Sequence, residues 1–495
     1  MRKKEEQAID QAVARHTPKA FELLRQLIAR PSPSLAEGRH DQPETAVGTV
    51  ASALARIGLP FAVVPVGPES ETLIAQWGVA QPGAPVVLLD AHLDTVPSGH
   101  PAAWLGLDPL GAHEGVATYL GDGRVRLSFP AAAVSVERRL RQRMARVWEA
   151  RGGGVRSVIA GRGAFDNKGP VTTLWLTLAA LRDCFGPDGL DGHQVLAVFS
   201  TDEEQGERGI RAALAWLSAQ GYLDRPVTPD GYRQGLAAIV LEGSYSYVPV
   251  VGHRGSLLLA LRTRGRAAHA ATPDLGDNAV LRMARLLTRL EAEWSSFRLR
   301  HLDALFADNL LEFATAALGT TVVGGAVVKV DAGPEGPVVE RAGTNVIPDW
   351  CEATLDLRYP RGPGAPEELL SDFVGRIERW VQGHDADATV RLLRWSAPAA
   401  IGDTPEGALA DPVVRAVASA RQAVLGLPSS LETAPGSTNG TVLLNEGRIR
   451  TLIECGPGGG LSHEPFEFVD CEDLVDGARV LARAILLLLD HRSSW

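Results

Sequence analysis

Apolar residues recur at two periods along this chain, and the expected element changes where the period does. Over residues 5–29, Phe21, Leu24, Leu27 and Ile28 share one helical face, and the run stops at Arg30-Pro31-Ser32-Pro33. A second helix is expected near 44–57. Short apolar runs follow at 61–65 and 73–77. Val86-Val87-Leu88-Leu89 then opens a buried strand over 86–91, which gives out in a polar cluster of Asp90, His92, Asp94 and Thr95. Residues 98–160 are rich in Gly and Pro up to Pro130. Beyond it Val136, Leu140, Met144 and Val147 recur at helical spacing among Arg138, Arg139, Arg141, Arg143 and Arg146. That spacing predicts one amphipathic helix with a solvated basic face, either a surface insertion or a cap over a site.

The run Gly161-Arg-Gly-Ala-Phe-Asp166-Asn-Lys-Gly169-Pro170 reads as a tight turn feeding a helix whose inner face is Val171, Leu174, Leu178 and Leu181. Strand 194–200 ends in Thr201-Asp202-Glu203-Glu204, with a helix running to about Gln220. Strand 237–241 ends in Glu242. The order then changes to strand 256–264, helix 277–292, a helical piece near 300–317, and strand 321–330. Next come strand 350–358, helix 366–382 and strand 388–395. Strand 350–358 alternates, with Cys351, Ala353, Leu355 and Leu357 on one face and Glu352, Thr354, Asp356 and Arg358 on the other. This βαββαβ series predicts an inserted α+β, ferredoxin-like domain over 253–395. It divides an α/β domain with a mixed, largely parallel sheet into two parts, 1–252 and 396–495. The second part carries helix 411–424, strand 449–455, the run Gly456-Pro-Gly-Gly-Gly460 before His463, and a last helix with Leu474, Ala478, Leu481, Ile485 and Leu488 inward.

With 495 residues, 45% hydrophobic and 22% charged, the chain has ample length for a large core. A net charge of −10 argues against nucleic-acid or anionic-membrane partners. Cys184, Cys351, Cys455 and Cys471 are scattered without a CxxC pair, which disfavours thiolate zinc and fits a reducing compartment. The N-terminal stretch lacks an apolar signal region and no run of eighteen apolar residues occurs, so a cytoplasmic protein is expected.

In parallel sheets, ligands collect beyond the carboxyl ends of the strands. His92, Glu203, Glu204, Glu242 and His463 all follow strand ends, and Asp166 lies in a turn before a helix. Two histidines and several carboxylates from five segments suit a pair of divalent cations, zinc foremost, with manganese or cobalt as alternatives. His92, Asp166, Glu204, Glu242 and His463 supply ligands, and Glu203 remains as a general base. Plainer readings exist for each piece: a surface loop with a capping aspartate at His92-Leu-Asp94, a helix cap at Asp166, a helix-dipole effect at Glu203-Glu204. No G-x-S-x-G nucleophile elbow occurs.

Taken together, H92-L-D94, G163-A-F-D166-N-K-G169, E203-E204, E242 and S462-H463-E464 resemble, in order, the motif series of the clan MH di-zinc peptidases and deacylases. That group includes aminoacylase, acetylornithine deacetylase, succinyl-diaminopimelate desuccinylase, carboxypeptidase G and carnosinase-type dipeptidases. The resemblance implies that Asp166 bridges two metals, that His92 and Glu242 complete one site and Glu204 and His463 the other, and that Asp94 orients His92. It further implies Glu203 as proton carrier, a cis peptide after Asp166, and a lid or dimerisation role for the inserted domain. Within that domain G265-R-A-A-H269 matches the segment whose histidine steadies the oxyanion, across the subunit boundary in dimeric members. T344-N345-V346-I347-P348 and L357-R358 match the segments that hold the substrate carboxylate. The implied activity is hydrolysis of an amide or peptide bond beside a free carboxylate, in a dipeptide or an N-acyl amino acid, by a homodimer. Alternatives are a hydrolase of non-peptide amides or amines and a metal-stabilised binding protein without turnover. Two departures bear on substrate class: the long stretch between His92 and Asp166, whose excess lies near 107–157, and Asn439 in Gly436-Ser-Thr-Asn439-Gly440, where many members carry an acidic residue nearby.

Overall fold

The computed structural model describes residues 3–190, 192–297, 315–333, 336–341, 343–359, 361, 366–428, 430–434 and 436–490. It divides into two compact units. The first comprises Met1–Val251, Pro405–Glu432 and Thr438–Trp495, and the second Gly252–Thr404 with Thr433–Ser437. Among the described residues no helix is long and apolar enough to cross a membrane.

The first unit is built on a six-stranded sheet in the order Phe61–Gly67, Ser70–Gly78, Gln194–Ser200, Val86–His92, Leu236–Val240, Arg450–Leu452. The first three strands are antiparallel neighbours, while 86–92 is parallel to both 194–200 and 236–240, and 450–452 is parallel to 236–240. Every residue of 86–92, 194–200 and 236–240 is buried. This is why these strands read as unbroken apolar runs rather than alternating ones. On one face Leu88, Val198 and Val240 pack against Ile210, Ala213 and Leu217 of helix Arg208–Ala219. Helix Lys168–Phe185 lies between helices Lys3–Ile28 and Cys471–Leu489 and is buried from Lys168 through Leu181.

A second sheet of this unit runs Gly459–Gly460, Phe468–Asp470, Val155–Ala160, His113–Gly121, Arg124–Phe129, Val134–Arg139. The single helix expected from Val136 through Val147 is therefore a strand in its first half and a helix in its second. Val136 lies on a strand paired with 124–129, and only Gln142–Ala150 is helical. The helix after Glu203-Glu204 begins at Arg208, leaving both glutamates in a turn.

The second unit holds an antiparallel sheet in the order Thr315–Gly325, Trp350–Tyr359, Gly255–Arg264, Thr389–Ser396, with helices Ala279–Phe297 and Pro366–His384. Leu257, Leu259, Leu261, Leu355 and Leu357 meet Met283, Leu286, Phe373 and Ile377 in its core. The strand expected over 321–330 is two strands, 315–325 and Val327–Gly333, the latter in a hairpin with Gly336–Arg341. The helical piece expected near 300–317 lies outside the described residues, except that 315–317 begins a strand.

Candidate active site

His92 is the last residue of the central strand and is buried there. Its Nδ1–H donates to the Asp94 backbone carbonyl at 3.0 Å, with the Asp94 carboxylate 3.3 Å away, which leaves Nε2 facing out of the sheet. Nε2 stands 3.2 Å from Asp166 Oδ1, 3.4 Å from Glu242 Oε2 and 4.0 Å from Glu203 Oε2. His463 Nε2 stands 3.0 Å from Glu204 Oε1 and 3.3 Å from Asp166 Oδ2. Asp166 thus belongs to two triads, His92–Asp166–Glu242 and Asp166–Glu204–His463. In each, the ligand atoms lie within 4.8 Å of one another. Glu203 belongs to neither.

Asp94 also fixes the opposite wall. Its Oδ1 accepts from the Glu203 N–H and its Oδ2 from the Glu204 N–H, each at 3.0 Å, while Ser34 Oγ donates to Oδ2 at 2.7 Å. Asp166 is held by Glu467, a fully buried carboxylate that sequence reading missed. Its Oε1 accepts from the N–H of Phe165 at 3.0 Å and of Asp166 at 2.8 Å, and its other oxygen pairs with Arg162. The Asp166–Asn167 peptide is cis, and Asn167 Nδ2 donates to the Leu241 carbonyl at 2.8 Å, joining the turn to the strand end that carries Glu242.

The glycine run 456–460 is buried and packed rather than a flexible turn. A Cβ on Gly456 would overlap the Glu242 backbone, and one on Gly459 would overlap the Phe468 carbonyl. Asn439 is also buried and donates 2.9 Å bonds to Asp90 and Ser200, beneath the end of the central strand. Tyr245 and Tyr247 are buried, and Tyr247 packs toward helices 168–185 and 471–489.

Electrostatically the centre crowds several carboxylates into a buried space. Burial pushes Glu203 well above the ordinary carboxylate range, with Glu242 and Glu204 adding to the shift against His92. Burial takes Glu242 up to about 8, and burial with the charge of Asp166 raises Glu204. Burial alone would raise Asp166 too, but hydrogen bonds from His463 and His92 hold it well below its usual value. Burial opposes charge on His92, yet Glu242, Asp166 and Asp94 carry its pKa upward. Bonds to Asp166 and Glu204 bring His463 to about 10. The pocket therefore favours positive charge at its middle.

The remaining three candidates belong to the second unit. His269 and Asn345 are neighbours there: His269 bridges to Val346, and the Ala270 N–H donates to the Asn345 carbonyl at 2.8 Å. Both side chains are exposed. Arg358 lies on strand 350–359 with its Nε 3.2 Å from Asp356 Oδ1.

The profile of peptidase family M20/M25/M40 matches residues 144–487. The chain belongs to this family. It is a metal-dependent hydrolase of amide or peptide bonds. A succinyl-diaminopimelate desuccinylase of Methylorubrum extorquens is 24% identical over 469 residues, 93% of this chain and 95% of that one. The structure is similar to human carnosine dipeptidase 1, with a TM-score of 0.64, 16% identity and 98% of both chains covered. It is also similar to a dinuclear metal-binding peptidase of the M20 family from Bacillus subtilis, with a TM-score of 0.54 and 14% identity over 96% of this chain and 99% of that one.

The residues present fit two cations. Imidazole and carboxylate oxygen are the donors such ions take. Glu242 Oε1 is buried with no hydrogen-bond partner among the described residues, a cost that a cation would remove.

Proposed function

We propose that the chain hydrolyses the amide or peptide bond of a small substrate with a free carboxylate beside the scissile bond, a dipeptide or an N-acyl amino acid. The observation carrying this reading is that two histidine–carboxylate triads share Asp166 while Glu203 stands next to them, outside both. The cations, Zn2+ foremost with Co2+ or Mn2+ as alternatives, would polarise the scissile carbonyl and acidify water near neutral pH. Asp166 would be the shared ligand, His92 and Glu242 would complete one site and Glu204 and His463 the other, and Asp94 keeps His92 in register. Glu203 Oε2 takes the proton of the attacking water and returns it to the leaving nitrogen. Glu203 is the buried carboxylate left outside both triads, placed to carry that proton between the two steps.

His269 steadies the oxyanion, worth about 3–4 kcal/mol in such sites, and acts from a second copy of the chain. Asn345 and Arg358 receive the substrate carboxylate, Arg358 by its planar fork. The second unit serves as lid and dimerisation domain. Its edge strand 389–396 exposes Leu392 and Leu393, which suits pairing across a two-fold axis. The four unpaired cysteines fit work in the cytoplasm.

Metal content by mass spectrometry, on protein purified without chelator, tests this together with a panel of dipeptides and acetyl- and succinyl-amino acids. Near two metals per chain is expected, falling in His463→Ala. Glu203→Ala should keep its metal and lose ~10²–10⁴ in kcat. Near zero metal, with no activity regained on adding zinc, manganese or cobalt, would overturn the reading.

A further inference from the structure

The segment near 107–157 is fastened to the loop that carries His463. Its strands extend the sheet whose other members, 459–460 and 468–470, are the two ends of that loop. Phe466 of the loop is enclosed by Trp104 at 5.7 Å, Phe129 at 6.4 Å and the Arg138 guanidinium at 5.0 Å, and Trp148 stacks on Phe468 at 6.4 Å. Leu140 lies against Gly460 closely enough that a Cβ there would sit 2.9 Å from Leu140 Cδ2. The next residue, Arg141, immediately precedes helix 142–150 and donates from Nη2 to Ser462 Oγ at 3.1 Å. Ser462 is the residue before His463.

The arginines of this segment are not alike. Arg138 is stacked on Phe466, Arg143 pairs with Glu432 at 3.1 Å, Arg151 pairs with Asp473, and Arg156 pairs with Asp470 and Glu472 at 3.2 Å each. Arg141 is exposed and spends one of its five donors on a neutral hydroxyl. Among the described residues no carboxylate lies within 4.0 Å of it. Its charge nevertheless reaches the buried Glu454 and Tyr245, and Glu454 in turn acts on Glu242. An always-charged fork with open donors therefore stands at the His463 side of the metal centre.

We propose that Arg141 is the specificity residue of this site and receives a second carboxylate, borne on the acyl side of the substrate. The preferred substrates are then amides whose acyl group ends in a carboxylate, such as succinyl or glutaryl groups or an amino-terminal acidic residue. This assignment rests on the hydrolase reading above, in which Asn345 and Arg358 take the carboxylate on the other side of the scissile bond. Hydrolysis releases the acyl group as a dicarboxylate, one carboxylate newly formed at the metals and one against Arg141.

The test compares zinc-loaded wild type with Arg141→Met and Arg141→Lys. Calorimetry measures succinate against butyrate, the same chain length with one charge fewer. Wild type should bind succinate at least tenfold more tightly than butyrate. The ratio should fall to within twofold in Arg141→Met and be partly kept in Arg141→Lys. The kcat/KM ratio for N-succinyl- over N-butyryl-amino acids should fall at least tenfold in Arg141→Met, with metal content by mass spectrometry equal to wild type. No succinate preference in wild type, or a ratio unchanged by Arg141→Met, overturns the assignment. Metal-loaded wild type that turns over neither substrate would overturn the hydrolase reading, while the binding ratio still decides the role of Arg141.

Discussion

Glu467 is the residue on which the placement of Asp166 is expected to depend most. Its side chain is fully buried, as is nearly all of Arg162, and the two form an ion pair. Glu467→Gln keeps an oxygen for the Phe165 and Asp166 amides but leaves the Arg162 charge unpaired in the interior. Breaking a buried pair from one side costs ~3–5 kcal/mol. The cation–π contact of Arg162 with Trp104, at 5.9 Å, survives the change and offsets little of it. The lower end of that range corresponds to about two decades in a local opening constant. The assay is hydrogen–deuterium exchange of the segment 161–170 in chelator-treated protein, where the amides accepted by Glu467 should exchange ~100-fold faster. Adding Arg162→Met makes both partners neutral and should return most of the lost protection, a coupling of about 3 kcal/mol. Metal affinity in Glu467→Gln should drop ~10–100-fold, the usual cost of losing support behind a ligand. If the double variant exchanges no more slowly than the single one, the unpaired charge is not the cause and the reasoning fails.

Other perturbations reach the site by different routes. Gly456→Ala drives a Cβ into the Glu242 backbone, so a two-step metal titration should lose the step belonging to His92 and Glu242. Phe466→Ala empties a fully buried aromatic site. It should cost ~3–5 kcal/mol of stability, read from denaturant midpoints, and weaken metal binding at His463. In the second unit, burial holds His253 neutral with its pKa brought down to about 4. The folded state then binds fewer protons than the unfolded one between pH 6.5 and 4. Stability present above pH 6.5 is therefore lost as pH falls, by about 3 kcal/mol in total. His253→Gln should flatten that part of the stability–pH profile in metal-free protein, and an unchanged slope would remove His253 as its source.

The strands that position the candidate metal ligands were legible because they are covered on both faces. Leu88, Val198 and Ile239 sit in runs with no polar interruption, and a parallel arrangement brings the residues after each strand to one edge. The alternation of Cys351, Ala353, Leu355 and Leu357 marked a sheet with one face in a core for the same reason. The 107–157 region misled because Val136 and Met144 fall at helical spacing across a strand–loop–helix junction, and nothing local reveals that 134–139 pairs with 124–129. Glu467 gave no signal. In His-Glu-Pro-Phe-Glu it resembles a surface carboxylate, and its role arises only where a turn from the middle of the chain folds over it. Asn439 looked like a change at the substrate and is instead a buried donor to Asp90 and Ser200, neutral where a second carboxylate beside Asp90 would repel.

The side chains gathered around Asp166 come from as early as residue 92 and as late as residue 463. At synthesis rates of ~5–20 residues per second, His92 leaves the ribosome roughly 20–75 s before His463 exists. A nascent chain can present the His92 half of the cradle but not the other. On the ligand set proposed above, full cation capture is a late step of biogenesis, and a loaded centre would certify that the distant ends of the first unit have already found each other.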